Sequence, residues 1–206
     1  RDSLLLHKIY NRVSDLELPT SFPDLYDQQK AALSAKSKGL YPIDYLFVGV
    51  SFFANIEAVQ WFINNVMPKV DGHLYVVGKG MNNINFNNLT DRIHIHGFVD
   101  DLSEYYYRAK LVISPIHVGG GMKTKTAEAL MYGKTILGSK EAFEGYEIDE
   151  RCMILCNSVE DYVTHISHID RSYGRINPVA RQLFEKLYSN HSQQEKFNSF
   201  IQNIHE

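Results

Sequence analysis

"LVISPIHVGGGMKTKTAEALMYGKTILG", residues 111–138, reads as a strand, a glycine loop, a helix and a second strand. Residues 111–114 and 135–138 are short apolar runs of strand length, closed by Ser and Gly. Residues 122–132 keep helical spacing, and Gly133 supplies the residue that ends a helix. A strand, a helix and a strand in so few residues form a βαβ unit. Its two strands lie parallel, and the crossover between them is right-handed.

The same rhythm fills the chain from about residue 44. Four further runs have the length and composition of strands: "YLFVGV" (45–50), "LYVVG" (74–78), "RIHIHG" (92–97) and "CMILC" (152–156). Most are too apolar to face water on one side, as expected of parallel strands covered on both faces. Between them lie helical stretches with readable ends. Asn55 is placed to cap a helix carrying Ala58, Val59, Phe62, Ile63 and Val66, and Asp100 to cap a short one through Arg108. Ser158 and Asp161 resemble a capping box. The stripe that follows them includes Tyr162, Val163, Ile166 and Ile169. Pro178 suits a first helical turn, and Ser192 with Glu195 opens a last helix. The expectation is an α/β, Rossmann-like doubly wound parallel sheet of about six strands with helices on both faces. Residues 1–40 lack this rhythm and read as a helical linker or packing segment, with helices over 4–13 and 24–38 around Pro19 and Pro23. Residues 41–206 form the Rossmann-like domain with its C-terminal helices.

Composition narrows the function. The 206 residues include 44% hydrophobic ones, and the net charge is −3. No global basic field recruits nucleic acid, so any attraction for anions is local. Cys152 and Cys156 have no metal-ligand spacing around them and read as buried free thiols of a reducing compartment. Neither a signal peptide nor an apolar stretch near 20 residues appears, which points to a cytoplasmic protein. The sequons at Asn88 and Asn190 carry no meaning there. The first residue is Arg1 rather than Met, as in a piece of a longer chain.

The glycine loop carries the chemistry. Glycines let main chain approach an anion closely, and the following helix offers unpaired N–H groups and a positive dipole end. Lys123 and Lys125 add charge within the first turn, which opposes the dipole by about 0.3–1 kcal/mol per group unless an anion offsets it. A diphosphate meets that description. A plain turn beside surface lysines meets it too, and the stretch alone leaves both open. The better-known phosphate loops are excluded. "GKT" (133–135) follows a helix, and the glycine a Walker loop needs falls on Glu128, while neither "GGGMKT" nor "GKGMNN" completes G-x-G-x-x-G.

"PIHVGGGMKTKTAEALMYGK" resembles the donor-binding segment of GT-B glycosyltransferases of the large retaining group 1 set (family 4-like). "LFVGVSFFANIEAVQWFINNVMP", "LYVVGKG" and "RIHIHGFVDDLSEYYYRAKLVISP" resemble earlier strands of the same domain, so the likeness covers about residues 44–150 in order. It implies a nucleoside-diphosphate sugar such as a UDP-sugar as donor substrate. Glu128 would meet the ribose, and Gly119, Gly120, Gly121, Met122, Lys123, Thr124 and Lys125 the diphosphate. Phe98 and Val99 would cradle the base, Gly49 and Asn55 close over the phosphates or sugar, and His117 touch the sugar. The catalytic residues stay unassigned. No metal or other cofactor is expected, since no Asp-x-Asp signature appears. The family's first carboxylate, with seven residues between it and its second, falls here at Gly120. The loop 49–56, "GVSFFANI", lacks the basic residues many members carry, which leaves phosphate neutralisation to Lys123 and Lys125, with Lys79 nearby.

A GT-B enzyme has two such domains. The resemblance therefore implies one half of the architecture, a missing N-terminal acceptor-binding domain as partner, and an isolated chain that binds donor without transferring it. It also implies glycan biosynthesis, and an acceptor that the missing part meets at the inner face of a membrane. Two other readings stay open: a nucleotide-sugar epimerase-like relative, and a non-catalytic module that binds a nucleotide or phosphate. Smaller features read as structural. His94 and His96 share one strand face without a third metal ligand. "EYYYR" (104–108) reads as a helix with one tyrosine inward and two on the surface, and "FEGYE" (143–147) as a structural loop.

Overall fold

Alternation along one strand shows how the chain builds two cores. In the computed structural model, which describes residues 2–36, 43–168 and 176–204, strand β1 (Ile43–Val48) sends Leu46 and Val48 into one hydrophobic cluster and Tyr45 and Phe47 into the other. Successive side chains of a strand point to opposite faces, so a strand apolar on both faces must be covered twice. Full burial of each such side chain stabilises by roughly 1.5–3 kcal/mol.

The element order is α1 (Asp2–Tyr10), α2 (Gln28–Lys36), β1, α3 (Phe53–Asn65), β2 (Leu74–Val77), β3 (Ile93–His96), α4 (Ser103–Arg108), β4 (Ala109–Ser114), α5 (Thr124–Met131), β5 (Ile136–Gly138), β6 (Met153–Leu155), α6 (Val159–His168), α7 (Pro178–Leu187) and α8 (Asn190–Ile204). The six strands form one sheet in the order β3-β2-β1-β4-β5-β6, and every pairing is parallel. Leu46 of β1 stands opposite Tyr75 on one side and Val112 on the other. Residues of α4, α5 and α7 pack on one face of the sheet, and those of α3 and α6 on the other. This is the doubly wound Rossmann-like sheet expected from the sequence. Its strand order reverses between β1 and β4, and the loops at their carboxyl ends flank the crevice where open α/β sheets bind ligands.

Several helix starts differ from the sequence reading. Asn55 lies one turn inside α3, whose cap position is Phe52 with no side-chain bond. At α4 the cap position is Leu102, with no side-chain cap bond, and the carboxylate at the helix start is Asp101, not Asp100, accepting from the Ser103 N–H at 2.9 Å. The last helix begins at Asn190, because Ser189 Oγ accepts from Ser192 N–H and so moves the start toward the N-terminus. The Ser158–Asp161 capping box is present in both directions, at 3.0 and 3.1 Å. In α4 two tyrosines face inward rather than one: Tyr106 and Tyr107 are buried, and Tyr105 packs at the margin. Both cysteines are free and buried.

The N-terminal segment has helices at 2–10 and 28–36, so the expected helix over 4–13 stops earlier and the one over 24–38 starts later, its expected end lying outside the described residues. Residues 24–27 and α2 lie against α4, α5 and α7. Asp27 N–H donates to Tyr107 Oη at 2.7 Å, and Arg181 pairs with Asp24 at 2.8 Å. The expected boundary near residue 40 and the Ile169 end of the α6 stripe fall outside the described residues. Among the described residues no helix is long and apolar enough to cross a membrane.

Candidate functional site

Two helices start at the crevice between β1 and β4, and neither carries a side-chain cap. The cap position of α3 is Phe52 and that of α5 is Lys123, both extended. The loop before α5, residues 117–121, is exposed. Gly119 and Gly121 adopt φ values of 136° and 69°, in the region that favours glycine. Among the described residues no protein acceptor meets the N–H groups of Gly119, Gly120, Gly121, Met122, Lys123, Thr124 or Lys125. A helix end with free amides and no cap is a ready site for an anion.

Lys125 gives this end its charge, and it is held from three sides. Its Nζ donates to Asn55 Oδ1 at 2.5 Å and stands 4.0 Å from the centre of the Phe47 ring. Gly49 makes room, since a Cβ there would fall 2.8 Å from Asn55 Nδ2 and 3.0 Å from Lys125 Nζ. Asn55 is fixed in turn by donating Nδ2–H to the Val50 carbonyl at 2.9 Å. Desolvation, aided by the charge of Lys123 and opposed by that of Glu128, lowers the Lys125 pKa to about 7. An ammonium so poorly solvated has its charge restored by an arriving anion. The Asn55 side chain thus serves the crevice instead of capping α3.

Glu128 lies one turn further along α5. Tyr106 Oη donates to its Oε2 at 2.9 Å, and Tyr106 is itself stacked on Tyr132, 4.7 Å between ring centres. Burial raises the Glu128 pKa, with the Tyr106 bond and Lys125 pulling it back. Lys123 points elsewhere. Its Nζ donates to the Gly121 carbonyl at 2.8 Å and lies 3.5 Å from Glu141 and 3.9 Å from Glu144. Its carbonyl accepts from Tyr146 Oη at 2.8 Å. The "FEGYE" segment therefore reaches the glycine loop.

Other expected residues are dispersed around this crevice. Phe98 is 73% exposed, while Val99 packs partly into a core. His117 is exposed, with its ring 5.0 Å from that of Trp61. Lys79 is exposed in the loop after β2. Lys134 of the Walker-like "GKT" is buried and donates to the Tyr107 and Ala109 carbonyls at 3.3 and 2.9 Å. His94 stacks among His73 and Tyr75, and among the described residues no group of three or more His, Cys, Asp or Glu is placed to hold a metal ion.

The model of the family described as glycosyl transferases group 1 matches residues 42–170, more than half of the chain. The chain belongs to the group 1 glycosyltransferases. Its fold agrees with solved structures of that kind. The pneumococcal O-GlcNAc transferase GtfA, solved with UDP and GlcNAc, is 14% identical with a TM-score of 0.61, covering 100% of this chain and 44% of its own. HepE from Anabaena, solved with UDP, is 12% identical with a TM-score of 0.66, covering 89% and 56%. A glycosyltransferase from Rickettsia africae is 15% identical with a TM-score of 0.65, covering 96% and 60%. The chain thus spans about half the length of these proteins, and at such identities the likeness is one of fold. No curated protein sequence matches it. The glycine loop, Lys125 and Glu128, singled out in the sequence, lie together at this crevice. The sequence did not point to Phe47, Tyr106, Glu141 and Glu144, which the structure places against Lys125, Glu128 and Lys123, because these contacts span 15 or more residues and leave no local pattern.

Proposed function

We propose that this chain is the donor-binding half of a GT-B enzyme that transfers a sugar from a nucleoside diphosphate. The free amides of Gly119–Lys125 carry the reading, because they converge with a buried ammonium at the switch point of the sheet. The diphosphate would lie across these amides, between the starts of α3 and α5, with Lys125 donating to it. Glu128, held by Tyr106 at one oxygen, has its other oxygen for the ribose hydroxyls, and the base would rest against Phe98 and Val99. As the glycosidic bond breaks, negative charge grows on the departing diphosphate. Amides and an ammonium already in place stabilise that charge without reorganising. Solved neighbours in complex with UDP, such as HepE, support the same reading. Retention of anomeric configuration follows from the family resemblance, and a second domain would supply the acceptor's main contacts.

Isothermal calorimetry with UDP and GDP tests the proposal. One of them should bind, and Lys125→Ala should weaken it about 10- to 100-fold, the value of ~1.5–3 kcal/mol for a hydrogen bond to a charged group. Failure of both nucleotides to bind would refute it. A binding module without transfer is the second reading, favoured by Gly120, where the family's first carboxylate is absent and nothing lies within 4 Å of a Cβ position. Release of nucleoside diphosphate by the enzyme joined to its second domain separates the two.

A further inference from the structure

The loops that follow β4, β5 and β6 enclose a hollow of about 510 Å³ on the same rim as the glycine loop. That volume lies within the ~300–1,000 Å³ typical of small-molecule sites. Ile116, Phe143 and Ile148 form its apolar lining. Facing them are the exposed side chains of Lys140 and Asn157 and the Glu141 carboxylate, which is paired with Lys123. Among the described residues no partner meets the side-chain amide of Asn157 or the ammonium of Lys140. Glu141 Oε1 is shut off from solvent and makes no hydrogen bond, although Lys123 Nζ is 3.5 Å away. Charge around the hollow is close to balanced, with Glu141 and Glu144 offset by Lys123 and Lys140. An anion would meet the carboxylates and a cation the ammoniums. A neutral ligand with many hydroxyls suits the set, since each hydroxyl both donates and accepts.

We propose that this hollow is a binding subsite for the acceptor saccharide, an inference that rests on the glycosyl-transfer reading above. Sugar hydroxyls would bond Glu141, Lys140 and Asn157 while the C–H face of a ring lies on Ile148 and Phe143. Lys123 then joins the two sites, because it spans the glycine loop and the Glu141 carboxylate.

Saturation-transfer NMR on the 206-residue chain tests this with free glucose, galactose and N-acetylglucosamine, beside UDP calorimetry. At least one sugar should give signals that disappear in Ile148→Trp, which fills the hollow from a half-exposed position, and fall at least several-fold in Glu141→Gln. Lys125→Ala should leave them intact, and Ile148→Trp should bind UDP as the parent does. Absence of signal from all three sugars overturns the proposal, as does a sugar signal that survives Ile148→Trp. UDP binding without sugar binding refutes the subsite alone. Sugar binding in the hollow without UDP binding refutes the donor reading and, with it, the assignment of that sugar as an acceptor.

Discussion

Lys125 is the residue on which electrostatics and geometry meet. With its pKa at about 7, it is partly deprotonated above neutrality and must regain a proton to hold an anion. Nucleotide binding near pH 8 should therefore take up protons, read as a dependence of the calorimetric heat on buffer ionisation enthalpy, and Lys125→Met should abolish that uptake. Stability has a definite sign as well. Between about 7 and the ordinary 10.5, the unfolded chain binds more protons at this site than the folded one, so unfolding free energy rises with pH across that window. Below it both states are protonated and the contribution is constant. Urea denaturation at about pH 7 and pH 9 should show a smaller gain in Lys125→Met than in the parent. Tyr106→Phe removes the hydrogen bond that Tyr106 Oη donates to Glu128 Oε2, leaving a largely buried carboxylate oxygen without that donor, at a cost of about 1–3 kcal/mol in denaturation. Lys125 and Glu128 were readable in the sequence because they share one helical turn. Asn55 was misread as a cap, since its true partner lies 70 residues away.

At the scale of elements, the site depends on how closely the turns after β1 and β2 cross. A Cβ on Gly78 would come within 2.0 Å of the Gly49 carbonyl oxygen, and Gly49 is the residue that admits Lys125 and Asn55. Gly78→Ala should therefore destabilise the chain by about 1–3 kcal/mol, lower Tm by roughly 2–12 °C in a thermal scan, and weaken UDP binding with it. The strands were readable because burial on both faces produces unbroken apolar runs, and the doubly wound order followed from their alternation with helices. Helix starts were less so. Asp100 and Asp101 are adjacent carboxylates, and only the path of the loop decides which one meets the Ser103 amide. The clasp of Lys123 by Glu141 and Glu144 joins the glycine loop to the segment after β5, a meeting set by sheet topology that no local spacing encodes.

At the scale of the molecule, the chain spans 44–60% of the three solved neighbours compared. In the proposed reading this chain holds a donor on one side of a cleft, and a second domain supplies the acceptor's main contacts. The chain alone should bind UDP in a one-to-one ratio yet release no UDP from UDP-glucose above the buffer rate, a comparison made by coupled assay. The central claim, that the uncapped turn between β4 and α5 grips a diphosphate, is tested most directly by titrating UDP into the ¹⁵N-labelled chain and following each amide. The account predicts the largest shifts at the amides of Gly119–Lys125, with smaller ones near Phe98. Saturable shifts confined to other segments, with those seven amides unmoved, would contradict it.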